Sequence, residues 1–551
     1  MLKNGTRGHA SRKWAGGAGL VALAMIVTGC VPLQYPEAQG ARTDVTEAAN
    51  AGQAVRDGGD LVMALSSEPD KLDPTTSTSL YTRFVMNAMC EKLYDIDASG
   101  EIVPQLATAL PEISADGLRV TIPVRTGATF SDGTPFSAQA VRATFDRNLT
   151  LEGSGRKTEL GPIERVSAPD AETVVVEYST PFAPLTAALA DRAGMILSPT
   201  AIADDTTAFA DNPSCVGAFK FVERIPQTSI TLEKDPNYYA ADEVHLDTIT
   251  YRIMGDANIR AANLRSGDVH VADAISPQDA DALLLERDIE VLQTGSLGYQ
   301  GLTINIGNTN GTGEPVVQRE GPLASDPRVR QALTMSIDRE ALVNSVFNNW
   351  YDPACSGISP NSPFATAASN DCAEFDPAGA RALLEEAGVD IPLTVGLKVA
   401  NSPDALRYSQ ALQASVREGG FNLRIEPVEY STLLDMQKQG KFDLMQIGWS
   451  GRIDPHGNLA TFMTTGAGNN DGGYNSAEMD DLLTRAAQLS DIDERAALYG
   501  QAVELAHRDN PLIYTYRQRN ITAHSVDLAG VSTFTDGVVR LSRAGFVADK
   551  D

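Results

Sequence analysis

Alternating and helically spaced apolar residues divide the chain, from about residue 60 onward, into short strands interleaved with amphipathic helices. Residues 118–124 (LRVTIPV), Thr173–Tyr178 (TVVVEY), 229–233 and 247–253 (DTITYRI) are β-branched runs between turn residues, which predicts strands. Ser137 stands as an N-cap before a stripe of Val141, Phe145 and Leu149. Asp326-Pro327, a cap followed by a first-turn proline, precedes Val329, Leu333 and Ile337. Asp338 caps a third helix with Leu342, Val343, Val346 and Phe347 inward, and further helices are expected over 377–387, Pro403–Glu418 and 477–508. The order is that of an α/β protein without a strict βαβ repeat or any internal repeat.

The apolar run at the start has a different pattern. Residues 1–14 carry Lys3, Arg7, Arg12 and Lys13 and no acid, and residues 15–27 are small and apolar. That is the length of a signal peptide and short for a membrane span. Val27-Thr28-Gly29-Cys30 follows and resembles a bacterial lipobox, so residues 1–29 are read as a lipoprotein signal peptide and Cys30 as the lipidated N-terminus. An ordinary cleavage site or an uncut leader is the alternative. Two acyl chains, at about 0.8 kcal/mol per buried CH2, suffice for anchoring. Residues 30–57 are rich in Ala, Glu, Asp, Gln and Gly without hydrophobic period, which predicts a flexible tether.

A formal charge of −28, more negative still without the leader, argues against nucleic-acid partners and against adhesion to anionic lipid. With Cys30 lipidated, four of the five cysteines remain. In an oxidising compartment that even number suggests two disulfides. Cys355 and Cys372 are near in sequence and should pair, leaving Cys90 to Cys215; four buried thiols are the alternative.

Catalytic chemistry finds no support. The six histidines (9, 245, 270, 456, 507 and 524) are scattered singly without a metal-binding spacing. No phosphate-binding or dinucleotide loop is present. Gly448-Trp449-Ser450-Gly451 resembles a nucleophile elbow, but Arg452 stands where GxSxG needs its second glycine. No cofactor or metal is expected, and the chain is not read as an enzyme.

Five segments carry a resemblance, in order. They are 103–147 with its FSDGTPFSA core, 213–221 (PSCVGAFKF), 322–343 (PLASDPRVRQALTMSIDREALV), 448–458 (GWSGRIDPHGN) and 473–483 (GYNSAEMDDLL). Together they resemble the family 5 extracellular solute-binding proteins, the dipeptide and oligopeptide receptors of ABC importers. Cys215 and Ala218 replace the usual Gly and Pro of the second segment.

The resemblance implies a two-lobed periplasmic-binding-protein-like fold (type II, cluster C) with a subdomain inserted in the first lobe. Lobe 1 would be 58–92, 205–298 and 508–551, the insert 93–204 and lobe 2 299–507. Crossings would fall near 296–301 and 510–516. The implied function is a monomeric, lipid-anchored receptor on the extracytoplasmic face. It would capture a peptide or peptide-like solute in the cleft and deliver it to ABC permease subunits with their ATPases. A receptor for a non-peptide acidic solute of opine, glutathione or sugar-phosphate type, or a peptide sensor for signalling, are the alternatives.

By the same resemblance Gly448, Trp449, Ser450 and Arg452 line the cleft, with Trp449 against the ligand. Peptide receptors commonly carry an aspartate three residues after this Trp, where it pairs with the ligand's amine. Here that position is Arg452, and the next acid is Asp454. An arginine fork suits a carboxylate or phosphate. Either Asp454 takes the amine-binding role, or the ligand presents an acid, or Arg452 and Asp454 pair with each other. Ser67, Tyr81, Tyr299, Asn305, Asn401, Tyr430 and Tyr474 offer polar tips near the expected cleft, although Tyr and Trp are often buried with a satisfied polar end.

Overall fold

The computed structural model describes residues 42–203 and 208–548. The signal peptide and the Cys30 lipidation site lie outside the described residues, as does the tether up to residue 41. Two large sheets form the centres of two lobes. The first has seven strands in the order Ile289–Gly295, Arg519–Ser525, Val271–Ala272, Asp60–Leu65, Thr248–Ile253, Ser229–Lys234, Phe219–Ile225. Asp60–Leu65 runs parallel to both its neighbours, with Leu61 opposite Ile249 and Met63 opposite Val271. Leu61, Met63, Ala64 and Leu65 are fully buried, as expected of a strand covered on both faces. The second sheet has six strands, ordered Asp352–Pro353, Leu512–Arg517, Tyr299–Ile304, Leu444–Trp449, Leu393–Ala400, Phe421–Val428.

A four-stranded antiparallel sheet, Glu112–Ile113, Arg119–Pro123, Thr173–Tyr178 and Ile163–Ser167, forms a separate layer with its own core around Phe130, Phe145 and Val176. The Cys90–Cys215 disulfide ties the two chain segments flanking that layer, with Cα atoms 4.9 Å apart, and Cys355–Cys372 closes a loop in the other lobe. Both expected pairings therefore form.

The chain passes between the large sheets twice. The first passage is at residues 296–298, as expected. The second falls at Gln518, beyond the expected 510–516. The reason is register: Leu512 pairs with Thr303 and Tyr516 with Gln300, so residues through Arg517 are hydrogen-bonded into the second sheet. Two other expectations change. The helix expected over 477–508 is two helices, Ala477–Gln488 and Ile492–Asp509, because the Asp491 side chain accepts from the Glu494 N–H and starts a second helix. Ser137 occupies the N-cap of Ala138–Thr150, yet its hydroxyl makes no capping bond.

Residues 42–57 also correct the tether expectation. Val45 bridges Gln293, Val55–Arg56 pairs with Gly545–Val547, and the buried Asn50 donates to the carbonyls of Val526 and Leu528, each at 2.8 Å. A polar, aperiodic segment is thus held by backbone pairing to strands distant in sequence. Among the described residues no helix is long and apolar enough to cross a membrane.

Candidate functional site

A small cavity of about 40 Å³ lies where the second sheet faces the loop before the helix Leu80–Met89. Thr78 closes it from the first lobe, while Tyr299, Gly448 and Trp449 come from adjacent antiparallel strands in which Tyr299 lies opposite Trp449. The helix Tyr430–Lys438 supplies Tyr430 and Lys438. A pleated sheet sets alternate side chains on one face, which brings the Tyr299 and Trp449 rings to the same wall.

The aromatic groups are fixed by their neighbours. Trp449 is 8% exposed, with its ring edge-on to Phe462 at 5.0 Å and its indole N–H donating to Asn458 Oδ1 at 3.0 Å. Tyr299 packs edge-on against Tyr514, and its buried hydroxyl finds no hydrogen-bond partner. Burial pushes that phenol well above its ordinary pKa, so it stays a neutral donor. At the polar end Lys438 Nζ donates to the Gly468 carbonyl at 2.6 Å and to Asn469 Oδ1 and Asp471 Oδ1 at 3.0 Å.

The loop after Trp449 is held by Asn458, whose Oδ1 accepts also from the Arg452 N–H at 2.7 Å while its Nδ2 donates to the Arg452 carbonyl at 2.9 Å. Gly451 has φ +85°, and a Cβ there would stand 2.3 Å from the Leu297 carbonyl carbon, so only glycine lets the loop approach the first interlobe crossing so closely. Arg452 stacks 4.1 Å over the Trp449 ring. It also reaches across the seam to Glu159 Oε1 (3.4 Å) and Asp191 Oδ2 (3.3 Å). Beside it Arg83 donates to Ser450 Oγ at 3.3 Å and pairs with Asp191 at 3.0 Å. Burial alone would raise the Asp191 carboxyl, but Arg452, Arg83 and Arg192 around it drive its pKa well below the ordinary range.

Of the residues singled out in the sequence, Tyr299, Tyr430, Gly448 and Trp449 line the cavity, and Tyr81 meets Tyr430 edge-on at 5.6 Å. Ser450 and Arg452 lie in the seam. Asp454 does not pair with Arg452; both its oxygens accept from Arg495 at 2.8 Å, which anchors the helix Ile492–Asp509. Asn305 is buried and donates to the Asn308 and Gly440 carbonyls, while Tyr474 donates to Asp509, so both serve the scaffold. Asn401 is exposed and Ser67 half-buried, and neither lines the cavity. Sequence reasoning missed Lys438 and Asp471 and the partners of Arg452. Glu159 is 293 positions from Arg452, and no local signal joins them.

The family described as bacterial extracellular solute-binding proteins, family 5 Middle, matches residues 101–471. The chain is 27% identical over 491 residues to the glutathione-binding protein GsiB of Pectobacterium atrosepticum, covering 87% of this chain and 92% of that protein. Its fold is similar to that of the PBP AgaA from A.tumefacien R10, solved with agropinic acid, at 26% identity and a TM-score of 0.78 over 90% of this chain and 99% of that one. The Escherichia coli murein tripeptide binding protein MppA shares the fold at 21% identity and a TM-score of 0.81, over 90% and 100% of the two chains.

Proposed function

The chain belongs to the bacterial extracellular solute-binding proteins of family 5, and from that premise we propose that it captures a peptide or peptide-like solute between its lobes and hands it to an ABC permease with its ATPases. It is a binding protein and not an enzyme. The observation that carries the proposal is the seam cavity, with Trp449, Tyr299 and Tyr430 as apolar walls and Lys438 with Asp471 at a polar end. Rigid aromatic faces with a few convergent polar groups suit a small solute, which the lobes must part to admit because the cavity holds only about 40 Å³. Gly448, Trp449, Tyr299 and Tyr430 are its contacts in this proposal, with Ser450 and Tyr81 at the margin.

Lobe 1 is read as 58–92, 205–298 and 518–551, with 93–204 inserted, and lobe 2 as 299–517. The two passages of the chain between the sheets support that division. Cys30 is read as the lipidated residue that keeps a monomeric receptor on the extracytoplasmic face. Native mass spectrometry of protein purified without refolding tests the capture. A bound peptide mixture is expected. A single non-peptide compound would move the assignment to that compound's class, and failure to take up any peptide from a tripeptide panel would refute it.

A further inference from the structure

A second and larger cavity, of about 670 Å³, lies where the first lobe, its inserted layer and the N-terminal segment meet. Its walls include Asn87 of the helix Leu80–Met89, Arg125 of the insert, Ala51 of the N-terminal segment and Ser542 near the C-terminus. None of its lining residues comes from 299–517, so it is separate from the seam between the lobes. Its volume falls within the range of small-molecule pockets, about 300–1,000 Å³.

Most charged side chains on these walls are already matched. Arg540 donates to Asp95 at 3.1 Å, Arg543 pairs with Glu243 at 2.7 Å, and Glu47 is exposed to water. Glu91 and Arg125 remain, and among the described residues neither has an opposite charge within ion-pair distance. Glu91 is 8% exposed. Its Oε1 accepts from the Tyr238 hydroxyl at 2.7 Å, and the Tyr239 hydroxyl reaches both its oxygens at 2.9 Å. Two hydroxyl protons do not fill the roughly four acceptor sites of a carboxylate. Burial raises the Glu91 pKa in spite of those hydroxyls and of Arg125 nearby, as expected of a carboxylate short of a counter-ion.

Arg125 spends Nε and Nη2 on the Gln105 carbonyl, at 3.2 and 2.6 Å, and lies 4.0 Å over the Tyr239 ring. Its Nη1 is left to donate elsewhere. Tyr239 therefore stands between the two charges, with its hydroxyl on the anion and its face under the cation. Glu91 and Arg125 are kept from pairing by one ring, a gap that a single small molecule with both charges spans.

We propose that this cavity is a second solute site, taking a small zwitterion of the amino-acid class with its ammonium on Glu91 and its carboxylate on Arg125. A solute with one charge would leave one of the two wall charges unmet. The proposal is independent of peptide capture at the seam, because the two cavities share no lining residue.

The test uses the full chain and the standard amino acids, screened at millimolar concentration by thermal shift. The one with the largest shift is then titrated by calorimetry beside its amide and its N-acetyl form. Each derivative, having lost one charge, is expected to bind about tenfold more weakly. Glu91→Gln and Arg125→Gln should each cost the free amino acid the same factor, and the N-acetyl form should bind Glu91→Gln no worse than the wild type. Ser542→Trp fills the cavity with both charges in place and should abolish binding; it decides alone if Glu91→Gln fails to fold. Trp449→Ala, in the wall of the seam cavity, should leave it unchanged. The inference is overturned if no amino acid shifts the melting temperature, if derivatives bind as tightly as the zwitterion, or if binding survives Ser542→Trp. Loss of binding in Trp449→Ala would place the amino acid in the seam and overturn it as well.

Discussion

Asn458→Ala isolates what holds the Trp449 loop in place. The amide makes three hydrogen bonds, accepting from the Trp449 indole at 3.0 Å and the Arg452 N–H at 2.7 Å and donating to the Arg452 carbonyl at 2.9 Å. Asn458 is buried, so truncation leaves two N–H donors and one carbonyl without partners. At about 1 kcal/mol per net hydrogen bond, the loss is about 3 kcal/mol, with stranded donors adding to it. Asn458→Asp keeps the acceptor but loses the bond to the Arg452 carbonyl and sets a buried carboxylate oxygen against it, so it should cost more than about 1 kcal/mol. Urea unfolding followed by tryptophan fluorescence measures the difference. Of the three tryptophans Trp14 falls within the proposed leader, so in a Trp14→Phe, Trp350→Phe background Trp449 alone reports. Its emission should shift on truncation, and solute affinity should fall with it, since the ring forms a cavity wall. A cost below about 1 kcal/mol with unchanged emission would refute the reasoning that Asn458 fixes the loop.

Three further outcomes follow from the same geometry. Asp191→Asn should cost about 3–5 kcal/mol at neutral pH by leaving buried arginines uncompensated. The native pKa of Asp191 is depressed, so its contribution is complete above the unfolded value of about 4 and is lost as pH falls toward the native one. The gap between wild type and variant, read by denaturation, should therefore be constant from about pH 8 to 5 and narrow only in strong acid. Deleting residues 42–57 removes the Asn50 bonds and the Val55–Arg56 pairing and should lower the melting temperature by several degrees. Cys30→Ser protein should appear in the culture supernatant or soluble fraction and bind solute as the wild type does; membrane retention would refute the anchor.

Elements with a strong period of their own were legible in the sequence. Thr173–Tyr178 and Pro403–Glu418 fall on the expected residues, because alternation and a Ser-Pro start are local signals. The cavity wall was legible in part for the same reason: Gly448 and Trp449 end one strand and Tyr299 begins its neighbour. Where a side chain's role depends on a distant partner, local reading failed. A pairing of Asp454 with Arg452, two residues away, was one of three readings open in the sequence, yet the helix start at Pro455 turns Asp454 toward Arg495. Arg452 meets Glu159 and Asp191 only because the inserted layer folds across the seam. The polar segment 42–57 misled in the opposite direction, since its order comes from edges offered by strands near the C-terminus rather than from apolar residues of its own.

That contrast bears on how specificity is set here. If Arg452 acted alone, its substitution for an aspartate would simply invert the charge offered to a ligand. In the folded protein Arg452 is already matched by two carboxylates and stacked on Trp449, so its own charge is spent on joining the lobes. Behind it Arg192 shares Asp191, and its buried Nε and Nη2 make no hydrogen bond. A change at one position of the cleft loop is therefore expressed through a cluster on the opposite lobe. Double substitution is the decisive comparison: Arg452→Ala and Arg192→Gln together should cost folding stability less than the sum of the single losses, because both arginines face Asp191. Strict additivity in calorimetric free energies would mean that the two arginines do not belong to one network.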